Sequence, residues 1–412
     1  MATRHLSDSS SQSASSTPVK SASRFIPIFT RLQPSPETIV LLLAVVIGGG
    51  TGLAVILFHF LIQATHHVML EDFMGLVSGW GAWTLALVPC LGGLLVGLMR
   101  WWWRDFGLSL STLISTPQTV QTVLPGKATA KAIAASISLG TGASLGPEGP
   151  SVEIGANIGV ILGQILRVSQ ERYRLLLSAG AAAGLAAGFN APIAGVFFAL
   201  EVVLGTTFAT SAVSVVLLSA VVAALISQIG LGGQPAFTLP SYEVRSPLEL
   251  PLYLGLGLFA CLIAIAYTQA IQQAQRLFRG EIPGLGCMGK LPMMVRPLLG
   301  GVCLGIVALG FPQILGIGYQ TIEEALRNVE FSLPLLIALL ILKLGMTAIS
   351  LGSGFVGGLF APAMFLGATL GTIYGKVLLV LLPENFVHSI AAPPAYAMVG
   401  MAAVLAASVR AP

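Results

Sequence analysis

Long apolar runs constrain this chain more than any other feature. Runs long enough for the roughly 20 residues of a membrane-spanning helix lie near residues 39–62, 82–99, 211–230, 249–271, 293–311, 333–350 and 389–409. Others are interrupted by glycine and proline, so we expect helices that stop partway across the membrane, near residues 128–166, 177–205 and 355–382. Only 9% of the residues are charged, against about 25% in soluble domains. The sequence therefore predicts an all-α polytopic membrane protein with broken and tilted helices.

The first 36 residues differ from this pattern. They are rich in serine and lack the apolar segment of a secretory signal. We predict a disordered cytoplasmic tail over residues 1–36 and a transmembrane domain over residues 37–412. The composition of residues 1–24 also fits a transit peptide. The two interpretations place the chain in the cell's inner or plasma membrane, or in a plastid membrane.

The placement of arginine indicates the orientation of the chain. Arg24 and Arg31 precede the first span, and Arg100 and Arg104 flank three tryptophans after the second. Because cytoplasmic loops carry an excess of Lys and Arg, we expect both ends of this two-span segment to face the cytoplasm. The net charge of +4 is small, and no nucleic-acid partner is expected.

The two halves of the chain repeat each other. Proline and three glycines recur at the same spacing in residues 150–163, PSVEIGANIGVILG, and in residues 362–375, PAMFLGATLGTIYG. Further on, GAAAGLAAGFNAP is echoed by GMAAVLAASVRAP at the end of the chain. We infer two homologous repeats, about 80–230 and 250–412. Transporters built from repeats place their substrate site near the bilayer midplane, where discontinuous helices meet.

One carboxylate, Glu148, lies at the predicted meeting point of the repeats, in GASLGPEGP. Each repeat has a Gly-rich turn followed by proline at a helix start, GPEGP in one and GGLFAP in the other. The unpaired N–H groups and positive dipole of such a start attract anions. An ionised Glu148 would compete with a transported anion, and a protonated one would leave. We therefore predict a protonatable gate; the plainer alternative is an acid that caps its helix.

At these motifs the sequence resembles the CLC family of chloride channels and proton/chloride exchangers, from about residue 38 to the end. The family motif Gly-(Lys/Arg)-Glu-Gly-Pro corresponds to residues 146–150, GPEGP. The motif Gly-x-Phe-x-Pro is matched in full by residues 358–362, GLFAP. The segment GAAAGLAAGFNAP is also similar to the family.

The resemblance implies an inverted-repeat fold, a voltage-gated homodimer and one anion pathway per subunit that carries chloride and, in some members, protons. It assigns the external gating glutamate to Glu148 and chloride coordination to the backbone N–H groups of Leu359 and Phe360. Three glycines beside them complete the predicted anion-binding set: Gly146, Gly149 and Gly358. No metal, organic cofactor or enzymatic activity is implied.

Three departures from the family pattern affect the predicted pathway. Pro147 replaces the basic residue before the gate, which removes a positive charge. The family's Gly-Ser-Gly-Ile-Pro filter motif has no clear match in DFGLSLSTLISTPQ, where Ser109 and Ser111 are the candidates for the inner filter hydroxyl. The chain ends within the second echo, so we expect a fragment or an incomplete record that lacks the helix carrying the family's filter tyrosine.

A fourth departure leaves channel and exchanger as open alternatives. Proton-coupled members carry an inner glutamate where this chain has Val202. Valine favours a passive channel, whereas Glu201 or a water path could still deliver protons to Glu148. Among transported anions, fluoride and nitrate are alternatives to chloride.

One rival class of function is an enzyme. GASLG fits the Gly-x-Ser-x-Gly pattern, which would make Ser144 the nucleophile of an intramembrane serine hydrolase. Such an enzyme needs a histidine base, and only His59 lies well inside an apolar run. We therefore favour transport over hydrolysis.

Overall fold

The structure is a computed structural model that describes residues 36–104, 106, 123–205, 210–233, 237, 246–247, 249–383 and 390–409. Within these residues there are no strands, and the only β-bridge is an isolated antiparallel one between Gly146 and Gly358. This agrees with the predicted all-α class. Residues 1–35 of the predicted tail and the candidate Ser109 lie outside the described part of the chain.

The described residues form a succession of helices. The longer ones are α1 (Pro36–His66), α2 (Leu87–Trp103), α3 (Pro125–Gly140), α4 (Glu148–Leu166), α5 (Gln170–Phe189), α6 (Pro192–Phe198), α7 (Thr210–Leu231), α8 (Glu249–Arg279), α9 (Val295–Gly310), α10 (Tyr319–Leu326), α11 (Leu333–Ser353), α12 (Phe360–Leu381) and α13 (Pro393–Val409). Short helical turns join some of them: His67–Phe73, Met74–Val77, Ser78–Trp80, Ala82–Ala86, Ala199–Leu204, Cys287–Lys290 and Pro312–Ile314.

Six helical segments in the described residues are long and apolar enough to cross a membrane. They are Thr38–Val77, Ala82–Trp103, Ala212–Leu231, Glu249–Arg279, Leu333–Ser353 and Phe360–Leu381. Two predicted spans are shorter than expected, since α9 has 16 residues and α13 has 17. A helix break was predicted within residues 355–382. This prediction was wrong from Phe360 onward, because α12 is continuous from Phe360 to Leu381.

The other two predicted interruptions are present. α3 ends at Gly140 and α4 begins at Glu148, so a turn of seven residues, 141–147, divides the run near 128–166. α5 ends at Phe189 and α6 begins at Pro192, which divides the run near 177–205. The first break contains glycine and proline, and the second follows Asn190 in the left-handed region and ends at Pro192, the first residue of α6.

Glycines of the two echoed motifs make matching helix contacts. In the first half a Cβ on Gly155 would lie 2.0 Å from the backbone oxygen of Gly180, so α4 and α5 touch backbone to backbone. In the second half a Cβ on Gly367 would lie 2.3 Å from the backbone oxygen of Gly400, which joins α12 and α13. The same contact therefore recurs at equivalent positions of the two echoed motifs, as small-residue packing of membrane helices requires.

We expect Gly367→Ala to destabilise the protein, because the added methyl group would collide with the Gly400 carbonyl oxygen 2.3 Å away. Overpacking of this kind costs about 1–3 kcal/mol. Thermal unfolding in detergent should occur at a lower temperature than in the wild type. The control is Gly345→Ala on α11, where a Cβ meets nothing within 4 Å. Equal unfolding temperatures for the two variants would contradict the backbone contact.

Candidate anion site

The starts of α4 and α12 are held together by backbone hydrogen bonds. The Gly146 N–H donates to the Gly358 oxygen at 2.9 Å, and the Gly358 N–H donates to the Gly146 oxygen at 2.6 Å. A Cβ on Gly358 would lie 2.6 Å from the backbone nitrogen of Gly149. Only glycine permits this approach, which brings two positive helix ends to one place.

Local sequence explains why both helices start here. Pro150 and Pro362 occupy the first turn, where a missing N–H costs nothing. The Ser151 N–H donates to the Pro147 oxygen at 3.0 Å, and the Ala363 N–H donates to the Leu359 oxygen at 3.1 Å. These are the first hydrogen bonds between residues four apart in each helix. The N–H groups before Ser151 and before Ala363 therefore have no intrahelical acceptors.

The Glu148 carboxylate occupies the start of α12. Its side chain is only 1% exposed. The Ala361 N–H donates to Oε2 at 3.4 Å, and the Tyr319 hydroxyl donates to Oε1. The carboxylate is therefore placed where the sequence predicted an anion, and its neighbours are hydrogen-bond donors.

The predicted anion-binding residues do not all offer a free amide. Gly146 and Gly358 come together at the site, but their N–H groups donate to each other's carbonyl oxygens. Their contribution here is close packing of the two helix ends. Gly149, Leu359 and Phe360 lie at the same meeting point, at the starts of α4 and α12, where N–H groups have no intrahelical acceptor.

Sequence reasoning missed several polar residues around this site. Tyr319 binds the carboxylate from the first position of α10. The Tyr267 hydroxyl donates to the Leu359 oxygen at 3.1 Å and fixes the turn that precedes α12. Lys343, fully buried on α11, donates to the backbone oxygens of Ile314 at 3.1 Å and Gly316 at 2.8 Å. A lone lysine within an apolar run was the available signal, since such residues are rarely without function.

A cavity of about 750 Å³ adjoins the two helix starts. Its lining includes Gly149 and Phe360. It also includes a set of basic residues: Arg100, Arg104, Lys131, Arg279 and Arg296. One carboxylate, Glu153, lines it in the described residues, and it pairs with Lys131 at 2.7 Å. The cavity is therefore strongly cationic.

Arg100 is partly buried against an aromatic ring. Its Cζ lies 5.5 Å from the centre of the Phe106 ring, and its buried Nε has no hydrogen-bond partner. Arg296 donates to the backbone oxygens of Gly289 and Leu291. Within the described residues neither arginine forms a salt bridge with a carboxylate, so both leave positive charge available in the cavity.

Residues that bear on the alternative functions have partners of their own. Val202 and Glu201 belong to the turn Ala199–Leu204 that continues α6, and Glu201 is exposed. The buried Ser144 hydroxyl lies 3.3 Å from the Thr347 hydroxyl. The His59 imidazole is engaged with the Val55 oxygen of its own helix at 3.0 Å.

Comparison with known proteins agrees with these features. Residues 112–412 match the family model described as voltage gated chloride channel. The chain is 37% identical to chloride channel protein CLC-e of Arabidopsis thaliana, over 92% of this chain and 56% of that protein. It is 34% identical to the H(+)/Cl(−) exchange transporter ClcA of Vibrio cholerae, over 67% of this chain and 57% of that protein. The chain spans about half the length of the curated relatives it matches.

Solved structures share the fold. A slow cyanobacterial Cl−/H+ antiporter superposes with a TM-score of 0.77 at 24% identity, over 92% of this chain and 87% of that one. A CLC-type fluoride/proton antiporter gives 0.73 at 24% identity, over 91% and 87%. With the paired helix starts and the buried glutamate, these matches lead to one conclusion: the chain belongs to the CLC family.

Proposed function

We propose that the protein transports chloride across a membrane through a pathway that Glu148 gates. The observation that carries this proposal is the position of the Glu148 carboxylate, which accepts the Ala361 N–H at the positive start of α12. A carboxylate and a chloride ion compete for the same donors. When Glu148 is ionised it blocks the site, and when it is protonated it withdraws and the anion enters.

The cationic cavity supports an anion as the substrate. It extends from Arg104 and Arg279 to Gly149 and Phe360 at the helix starts. A cleft lined by one sign of charge raises the local concentration of ions of the opposite sign. Because Arg100 and Arg104 also mark the cytoplasmic end of the second span by the excess of basic residues there, we assign the cavity to the cytoplasmic side of the pathway.

Proton-coupled exchange is the second candidate function. Its support is Glu148 itself, a protonatable group buried within the anion site. Against it stands Val202, which replaces the inner glutamate of coupled members. ClcA of Vibrio cholerae is described as an exchange transporter and CLC-e as a channel, so the relatives support both mechanisms.

Further properties follow from family membership as proposals. We propose a homodimer, in which exposed apolar side chains of α6 and α7 such as Ile193 and Leu225 meet a second copy. Voltage-dependent gating is supported by the description of the matching family model. We propose the cell membrane as the location, with a plastid membrane as the alternative.

The contact between Ser144 and Thr347 supports a structural role for that serine and not a hydrolase.

The proposed gate predicts that Glu148→Ala abolishes the pH dependence of chloride flux. The full protein is reconstituted in liposomes, a chloride gradient is imposed, and chloride efflux and external pH are recorded together. Wild-type flux should rise as pH falls, because protonation releases the gate. The variant should carry at neutral pH a flux at least as large as the acidic wild-type flux.

The control for this experiment is Glu153→Gln, which alters a carboxylate on the same helix that pairs with Lys131. It should retain the pH dependence. A Glu148→Ala variant with the wild-type pH profile would refute the gate, and the absence of chloride flux in the wild type would refute chloride transport. In the same assay, protons driven uphill by the chloride gradient indicate an exchanger, and chloride flux without proton movement indicates a channel.

The cationic cavity predicts that Arg100→Gln raises the chloride concentration needed for half-maximal flux. The change should be up to about tenfold at low ionic strength and should shrink when an impermeant salt screens the remaining charges. The control is Arg327→Gln, an exposed arginine paired with Glu323 at 2.6 Å and absent from the cavity lining. Equal chloride dependence in the two variants would exclude a role of the cavity in attracting the anion.

A further inference from the structure

We infer that Tyr319 latches the gate: its hydroxyl holds the ionised Glu148 carboxylate in the closed position, and Lys343 fixes the loop that presents it. This inference rests on the proposed function and assigns two residues to its control. The contact joins residues 171 apart in the sequence and links two helix starts, since Tyr319 opens α10 and Glu148 opens α4.

The latch is the side-chain donor on the carboxylate, and its contact is shorter than that of the Ala361 N–H. The Ala361 N–H reaches Oε2 at 3.4 Å, near the limit of a hydrogen bond. The tyrosine hydroxyl donates to Oε1, and a bond from a neutral donor to an ionised carboxylate is charge-assisted. Protonation of Glu148 removes the charge and so weakens this bond. The hydroxyl therefore stabilises the blocked state selectively.

Packing and a turn in the backbone fix the position of Tyr319. Its ring packs edge-on against Phe237, with 4.8 Å between the ring centres. Before it lies the turn Gly316–Gly318, in which both glycines have positive φ angles, 63° and 86°. A turn with two glycines is conformationally flexible. Other contacts are therefore needed to hold it in place and to fix the position of Tyr319.

Lys343 supplies that anchor. Its ammonium group donates to the Ile314 and Gly316 oxygens at 3.1 and 2.8 Å and lies 5.0 Å from the centre of the Phe365 ring. The turn is also hydrogen-bonded to residues 141–147, which precede Glu148, since the Gly316 N–H donates to the Gly142 oxygen at 2.8 Å. Tyr319 and Glu148 are thus carried by two segments that are hydrogen-bonded to each other.

The other ionisable groups around Glu148 have different partners. Tyr267, on α8, donates to the Leu359 oxygen. Lys343, on α11, donates to the two loop carbonyls described above. Lys131 on α3 and Glu153 on α4 pair with each other. In the described part of the chain, Tyr319 is the side chain that donates directly to the gate carboxylate.

The test is Tyr319→Phe in the liposome flux assay. Removal of a hydrogen bond to a charged group should move the pH of half-maximal flux upward by about one to two units, because the blocked, ionised state loses its support. The matched control is Tyr374→Phe, which removes a hydroxyl that donates to the Leu252 oxygen at 2.9 Å. It should leave the pH profile unchanged.

The double variant Tyr319→Phe with Glu148→Ala distinguishes a role of Tyr319 in gating from a purely structural role. When Tyr319→Phe is added to Glu148→Ala, the flux profile should not change further, since the hydroxyl has lost its target. A profile for Tyr319→Phe that overlays the wild type, or an equal shift in the Glu148→Ala background, would overturn the latch. The gate itself is judged separately by Glu148→Ala alone, so the two proposals fail in distinguishable ways.

A spectroscopic titration tests the contact without transport. Infrared difference spectra between the wild type and Glu148→Gln isolate the protonated carboxyl band of Glu148 in the membrane-reconstituted protein. In Tyr319→Phe this band should appear at higher pH than in the wild type. Lys343→Met should shift it in the same direction by a smaller amount, because the loop loosens but the hydroxyl remains. An unchanged band in both variants would refute the inference.

Discussion

The paired backbone hydrogen bonds between Gly146 and Gly358 are the constraint on which the site depends. They join the start of α4 to the start of α12 at distances of 2.6 and 2.9 Å. Two positive helix ends would repel each other in an apolar medium unless something negative lay between them. The Glu148 carboxylate has that role in this structure, and in the proposed cycle an anion takes its place.

Much of this arrangement could be predicted from the sequence, because its determinants are local. Proline and glycine mark the helix starts, and the glycine spacing marks the packed faces of α4 and α12. Both signals repeat in the two halves, which distinguishes them from chance. The position of Glu148 among these markers was therefore sufficient to predict a carboxylate where the two helix starts meet.

The partners of the carboxylate could not be predicted in this way. Tyr319 lies far from Glu148 in sequence and opens an eight-residue helix, too short to leave a strong periodic signal. The roles of Gly146 and Gly358 were also not readable in detail, since a Gly-rich turn can offer its amides to an anion or to a second turn. Which of these occurs depends on the approach of two segments from different halves, and local pattern carries no information about that distance.

Lys343 has a consequence for how the protein enters the membrane. It lies in the middle of α11, a 21-residue apolar helix, and a lysine at that depth costs about 2.5–3.5 kcal/mol on insertion. The carbonyl oxygens that accept its hydrogen bonds and so offset this cost belong to Ile314 and Gly316, which are synthesised before α11. Because the chain is synthesised from its N-terminus, the partners of this buried charge have already been made when α11 enters the membrane.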